Sequence, residues 1–164
     1  LPEYTRTLSL NLQLFRYVGI TTLFDQRGGH KQLNDTEQFR CATGLARGDR
    51  GCSATDNPAA SLEDQARFRA SLLGSRAGYV EDADFVKWRE LAVTLQAPQS
   101  LLRRVSFVRG ASLTLAGRNL HTWTDYSGLD SEINETGGTF ICTQGEFMTQ
   151  PPVRTFVTRF NFTF

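Results

Sequence analysis

Two histidines, His30 and His121, three cysteines, Cys41, Cys52 and Cys142, and a scatter of carboxylates are the side chains that could carry acid–base, metal or covalent chemistry. Their spacing argues against all three. Neither histidine sits in an HExxH helix or beside a nucleophile motif. The cysteines form no CxxC pair, and two isolated histidines do not complete a zinc pattern with them. Asp35 and Glu37 are near neighbours, but they fall in a polar stretch that reads as loop. Gly28-Gly29 ends an extended run instead of opening a helix, so it is no phosphate cradle. The expectation is a protein that is not an enzyme and uses no metal or cofactor. Cys41 and Cys52 share one Gly/Asp/Asn-rich stretch. They either form a local disulfide, if that stretch meets an oxidising compartment, or are two unrelated loop thiols.

Charge narrows the class further. The 164 residues carry 18 basic and 17 acidic side chains, a net charge of +1, so there is no concentrated positive face for nucleic acid. Only Lys31 and Lys87 are lysines, and the arginines are dispersed.

The elements that must position any binding site are extended. Leu8, Leu10, Leu12 and Leu14 alternate with Ser9, Asn11 and Gln13, which is period-two patterning with one apolar face. The same alternation recurs in Val18, Ile20, Thr22 and Phe24, in Leu91, Val93 and Leu95, and in Leu113 and Leu115. It is sharpest at the end, where Phe156, Thr158, Phe160, Phe162 and Phe164 share a face. Strands are predicted over residues 5–16, 18–28, 85–97, 105–120 and 153–164, with long loops over 29–84 and 121–152. Pro98 ends the third strand, because proline cannot donate to a ladder. Inside the first loop, Ser61-Leu62-Glu63-Asp64 is a helix start with Ser61 as N-cap, and the helix stops at Gly74.

The connections alternate short and long: Arg16–Gly19, the loop from His30, Gln99–Arg104, the loop from His121. An antiparallel up-and-down meander puts the short turns at one end and the long loops at the other, as outer-membrane barrels do. No run of about 18 apolar residues is present for a membrane helix, whereas a transmembrane strand needs only about 9–11 residues. The face opposite the apolar one is small and polar, as suits a water-filled or plugged lumen. Tyr17 and Phe164 gather at one rim, and Trp123 and Tyr126 at the other, as interfacial girdles do. A soluble β-sandwich alternates too, with its apolar face against a second sheet. Five strands cannot close a barrel, whose smallest form has about eight. The all-β chain is therefore expected to be the C-terminal part of a larger transmembrane barrel in a longer chain.

Three stretches carry a family likeness. Leu115-Ala116-Gly117-Arg118-Asn119-Leu120-His121-Thr122-Trp123-Thr124-Asp125-Tyr126-Ser127-Gly128-Leu129-Asp130-Ser131-Glu132 resembles the "GRNLxTWTxYxGxDPE" stretch of SusC/RagA-type TonB-dependent receptors. Asp84 to Leu95 with Pro98 resembles their "ASFxRLRxLSLSYxLP" strand, and Pro151 to Phe164 their "PxxRxFxxGLNxxF" ending. Gly28-Gly29-His30 and Asn34 resemble the family's hairpin end. Ser131, Arg159 and Trp88 depart from the family's usual Pro, Gly and Leu. The resemblance implies a barrel of about 22 strands in the bacterial outer membrane. It also implies a plug acted on by the TonB complex and a SusD-like surface lipoprotein as lid. The nutrient would be an oligosaccharide or peptide.

Candidate binding residues follow. Trp123 and Tyr126 could stack on a sugar ring or belong to the rim girdle. Asp130 and Glu132 could bind a cation, sugar hydroxyls or the lid, or be solvated loop acids. Arg118 and Asn119 are expected to anchor loop backbone. Phe160, Phe162 and Phe164 face membrane lipid and resemble the terminal signal that the barrel-assembly machinery reads by strand pairing. The competing functions are a passive porin or structural barrel, and a soluble sandwich adhesin or carbohydrate-binding module.

Overall fold

The computed structural model describes residues 2–43, 54, 57–103, 107–135 and 144–164. In chain order these form β1 Tyr4–Leu14, β2 Val18–Gly28, β3 Lys31–Asn34, α1 Asp35–Thr43 and α2 Leu62–Leu72. A 3-10 turn Ala77–Tyr79 then leads to β4 Val80–Asp82, β5 Phe85–Gln96, α3 Gln99–Leu102, β6 Gly110–Thr124, β7 Gly145–Glu146 and β8 Thr155–Thr163. They divide into two compact units. One holds the described residues of Leu1–Tyr4, Gly28–Asp84 and Thr124–Pro151; the other holds Thr5–Arg27, Phe85–Trp123 and Pro152–Phe164.

The second unit is built on a five-stranded sheet in the order β1-β2-β5-β6-β8, the all-β antiparallel meander that the alternation predicts. Its register matches apolar to apolar. Val18 faces Leu95 and Ile20 faces Val93, while Leu113 faces Phe160 and Ala111 faces Phe162. The other face is knitted by polar pairs across neighbouring strands. Thr21 Oγ1 donates to Asn11 Oδ1 at 2.9 Å, Arg89 to Asp25 at 2.8 Å, and the Thr94 and Thr114 hydroxyls meet at 3.0 Å. Among the described residues of this unit no second sheet covers the apolar face, and Leu8, Leu12, Phe156 and Phe160 are all more than half exposed.

Two local features are not set by alternation. The β1–β2 turn centres on Phe15 and Arg16, both at positive φ (50° and 63°), with Tyr17 N donating to Leu14 O at 3.2 Å. Positive φ at both central positions suits the right-handed twist of a tight hairpin, so the turn comes earlier than Arg16–Gly19. The second feature is a bulge in β5. Leu23 pairs with Glu90 but Phe24 pairs with Trp88, leaving Arg89 as the extra residue. The bulge reverses the parity of the strand, so Trp88 lies on the apolar face with Leu91. There it stacks on Phe24 (centroids 5.6 Å, 10°) and donates from Nε1 to Thr22 Oγ1 at 2.8 Å.

The first unit gathers both long excursions. Its small sheet runs β4-β3-β7, with β4 antiparallel and β7 parallel to β3. Among its described residues, the excursion predicted as loop with one helix contains two α-helices. α2 starts and stops where the sequence indicates: Ser61 Oγ accepts from Asp64 N at 3.1 Å, and Gly74 takes φ 88° just beyond the helix. α1 corrects the reading of Asp35 and Glu37 as loop acids. Both lie in its first turn, where carboxylates favour the helix N-terminus, and Asn34 Oδ1 accepts from Glu37 N at 3.0 Å. Cys41 and Tyr79, both nearly fully buried, pack with Leu33 as the unit's apolar core. Among the described residues no helix is long and apolar enough to cross a membrane, which has no bearing on a β-barrel.

Candidate functional site

The polar interior of the first unit is where the two excursions meet. Asn34, at the end of β3, is buried. Its Nδ2 donates to Ser127 Oγ at 3.0 Å and Glu81 Oε1 at 3.3 Å. Ser127 in turn donates its backbone N to Glu81 Oε2 at 3.0 Å and its hydroxyl to Glu81 Oε1 at 2.9 Å. Glu146 is wholly buried. Its Oε1 accepts from Thr36 Oγ1 at 2.6 Å, its Oε2 from Leu129 N at 3.1 Å and, more weakly, from Tyr126 OH at 3.5 Å. Gly128 makes room for this carboxylate, since a Cβ there would lie 2.6 Å from Glu146 Oε2 and 2.5 Å from the Tyr126 ring. Desolvation, and then the Glu146 and Glu81 carboxylates, push the Tyr126 phenol far above its ordinary range. Tyr126 is therefore a neutral donor at any physiological pH.

These bonds are directed inward. Buried carboxylates whose oxygens already accept hydrogen bonds hold backbone in place. Among the described residues no group of three His, Cys, Asp or Glu side chains is poised to hold a metal ion. His30 is buried beside Asp84, whose Oδ1 accepts from Gly29 N at 2.8 Å and lies 3.8 Å from His30 Nδ1, a strand-end cap.

The expected binding residues are dispersed. Tyr126 is only 6% exposed, so its ring offers no open face for a sugar and no rim position. Asp130 is also buried and is not a solvated acid: its Oδ1 accepts from Glu132 N at 2.8 Å, and its carbonyl accepts from Gln32 Nε2 at 3.4 Å. Trp123 belongs to the other unit, half exposed, edge-on to His121 with centroids 4.4 Å apart. It lies within β6, not in a loop, because β6 runs to Thr124, past its last pairing with β8 at Arg118. Arg118 does not reach loop backbone: its Nε pairs with Glu90 on the polar face at 2.9 Å. Asn119 takes φ 52° and donates from Nδ2 to Val153 O at 3.1 Å, holding the chain as it enters β8. Phe160 and Phe162 are exposed on the apolar face, and Phe164 stacks on Phe107 (6.2 Å, 10°). Cys41 is disulfide-bonded; Cys52, like Cys142, lies outside the described residues.

Sequence reasoning did not single out Thr36, Glu81, Ser127 or Glu146. Alternation carries no trace of them. The one available signal was Asn34 three residues before Glu37, an N-cap spacing that announces α1.

Comparison with known proteins gives the fold a setting. No family model and no curated protein matches the chain. Among solved structures, the RagAB peptide importer in its closed-closed state superposes with a TM-score of 0.72 at 20% identity, over 100% of this chain. Its open-open state gives 0.68 at 19% identity, again over 100% of this chain, and a further RagAB peptide transporter structure gives 0.60 at 20% over 90%. This chain spans only 17% of the length of the first two. At this identity the likeness is one of fold.

Proposed function

We propose that this chain is the C-terminal part of the barrel of a SusC/RagA-type TonB-dependent importer in the bacterial outer membrane, with a role in transport and not in catalysis. The observation that carries the reading is the match over 100% of this chain to a segment of the RagAB peptide importer. The bare apolar face of the meander supports it, since lipid is the solvent that such a face requires. In this reading the polar face lines the lumen, the two long loops over 29–84 and 121–152 are extracellular, and the hydrogen bonds of Asn34 and Glu146 tie described parts of the two loops to each other. The imported nutrient is a peptide or oligosaccharide, peptide being the cargo of the neighbours. A SusD-like lipoprotein covers the mouth, the TonB complex drives transport through parts of the protein outside this chain, and the barrel-assembly machinery inserts it.

The test is uptake by cells with and without the gene. Labelled oligopeptides and oligosaccharides are supplied separately, each with and without a proton uncoupler. Gene-dependent uptake that stops when the proton gradient is dissipated supports the importer. Gene-dependent uptake that survives dissipation indicates a passive pore, and an unchanged uptake of every substrate removes the transport reading.

A further inference from the structure

Two clefts on the apolar face lie toward opposite ends of the strands. The cleft near the β5–β6 connection, about 230 Å³, is lined by Leu95, Ala97, Leu113, Phe160 and Phe162 with Gln96 and Ser112, and holds no charge. The cleft at the opposite end is larger, about 450 Å³, and is lined by Arg6, Thr7, Leu8, Phe24, Gln26 and Val86. Arg6 shares its face with Leu8, Leu10, Leu12 and Leu14, because Thr7 and Asn11 reach Asp25 and Thr21 on the polar face. Along β1, β2 and β5 it is the one charged side chain on the apolar face among the described residues; Arg89, in the bulge, turns to Asp25.

Its height along the strand is informative. From Leu14 to Arg6 the strand rises about 27 Å at roughly 3.4 Å per residue. At a tilt near 40° this places Arg6 about 20 Å above the turn, near the top of an apolar band about 25 Å tall. A cation is costly at the bilayer midplane and cheap at this level. The wall beside it is rigid, since Phe24 is stacked on Trp88, which is tied to Thr22. Arg6 is exposed, and a guanidinium presents its N–H donors in a planar fork.

We propose that this cleft binds a phosphorylated glycolipid of the outer leaflet, with Arg6 on its phosphate, Gln26 beside the sugar, and Leu8, Phe24 and Val86 against an acyl chain. The inference rests on the barrel reading above. Planar, forked donors suit phosphate oxygens, and the aliphatic and aromatic walls suit the chain. The uncharged cleft at the other end offers only the second half of this chemistry.

The test uses the full-length protein that contains this chain, purified in detergent micelles and titrated with monophosphorylated and with dephosphorylated lipid A, bound lipid being counted by native mass spectrometry. The expected result is a preference of about tenfold for the phosphorylated form, the size of a charge-assisted contact at a partly exposed site. Arg6→Gln should abolish the preference, Arg6→Lys should keep part of it, and Leu95→Ala, in the other cleft, should leave it intact. Equal binding of the two lipids by the unmodified protein, or an unchanged preference in Arg6→Gln, overturns the proposal. Heat-modifiable migration of the unboiled protein on a gel reports the folded barrel separately. If migration is normal and the preference is missing, only this inference fails; if the shift itself is missing, the barrel reading fails and takes the inference with it.

Discussion

Replacing Glu146 by leucine keeps the bulk of a wholly buried side chain and removes its acceptors. Leu129 N, now 3.1 Å from Oε2, would lose its acceptor, which water can partly replace because Leu129 is half exposed. The Thr36 hydroxyl would lose its 2.6 Å acceptor and could fall back only on the residue-146 carbonyl, already at a poor 3.4 Å. A fully stranded buried donor costs about 1–3 kcal/mol, and each of these two donors is partly rescued. Together these give roughly 1–3 kcal/mol, since the Tyr126 contact at 3.5 Å is too long to add much. The cost should fall on local opening of the loop unit, because none of these partners lies in the five-stranded sheet. Amide hydrogen exchange reads it directly. Protection at Leu129 and Met148 should drop by roughly 5- to 150-fold, at about 1.4 kcal/mol per decade. The amides of Leu113 and Leu115 should not change. Met148 is a useful second probe, since its N–H donates to Thr36 Oγ1 at 2.7 Å. Glu146→Gln, which keeps one oxygen, should lose about half as much free energy. Unchanged exchange at Leu129 in the leucine variant would refute the claim that this carboxylate clasps the excursions, and equal loss in both units would refute its locality.

The Tyr126 phenol gives a pH dependence. Its pKa in the fold lies above the ordinary 10.0, so the unfolded chain releases the proton first as pH rises, and stability of the loop unit is full below pH 10.0 and falls above it. Hydrogen exchange or proteolysis at rising pH should show this alkaline loss, and Tyr126→Phe should blunt it; an identical profile in both proteins would contradict the assignment. Deleting Arg89 removes the extra residue, so the ladder becomes regular, Trp88 stays opposite Phe24 on the apolar face, and what is lost is the Arg89–Asp25 pair. In the barrel reading, membrane insertion, measured by heat-modifiable gel migration, should then survive, and failed insertion would mean that the bulge itself is required and not only the faces it leaves in place. In the barrel reading, Val93→Arg puts a cation on the lipid side at a cost of up to about 2–4 kcal/mol, while Thr94→Arg, one residue on, faces the lumen. Only the first should lower the denaturant midpoint in lipid vesicles; equal effects would argue against lipid on that face.

Five extended segments, their antiparallel order and the faces they present were legible in the sequence, because a strand advertises burial by simple alternation and the leucines and phenylalanines keep that period. Ser61 and Gly74 likewise marked α2 through local backbone chemistry. What alternation could not carry was anything set by a partner distant in the chain. The β5 bulge exists only relative to β2, so the parity of Trp88 is invisible in β5 alone. α1 was missed although Asn34 and Glu37 mark its start, since a polar helix lacks the apolar stripe that betrays most helices. The roles of Tyr126 and Asp130 changed most. Both read as exposed loop residues, and both are buried, because chain from the first excursion (Gln32, Thr36, Glu81) and chain from the second (Ser127, Leu129, Glu146) close into one polar interior. Hydrogen bonds between segments about 100 residues apart leave no periodic mark on either one. The sequence by itself determined the strands and their faces; which polar side chains are spent inside the fold was decided only when tertiary structure brought the two excursions together.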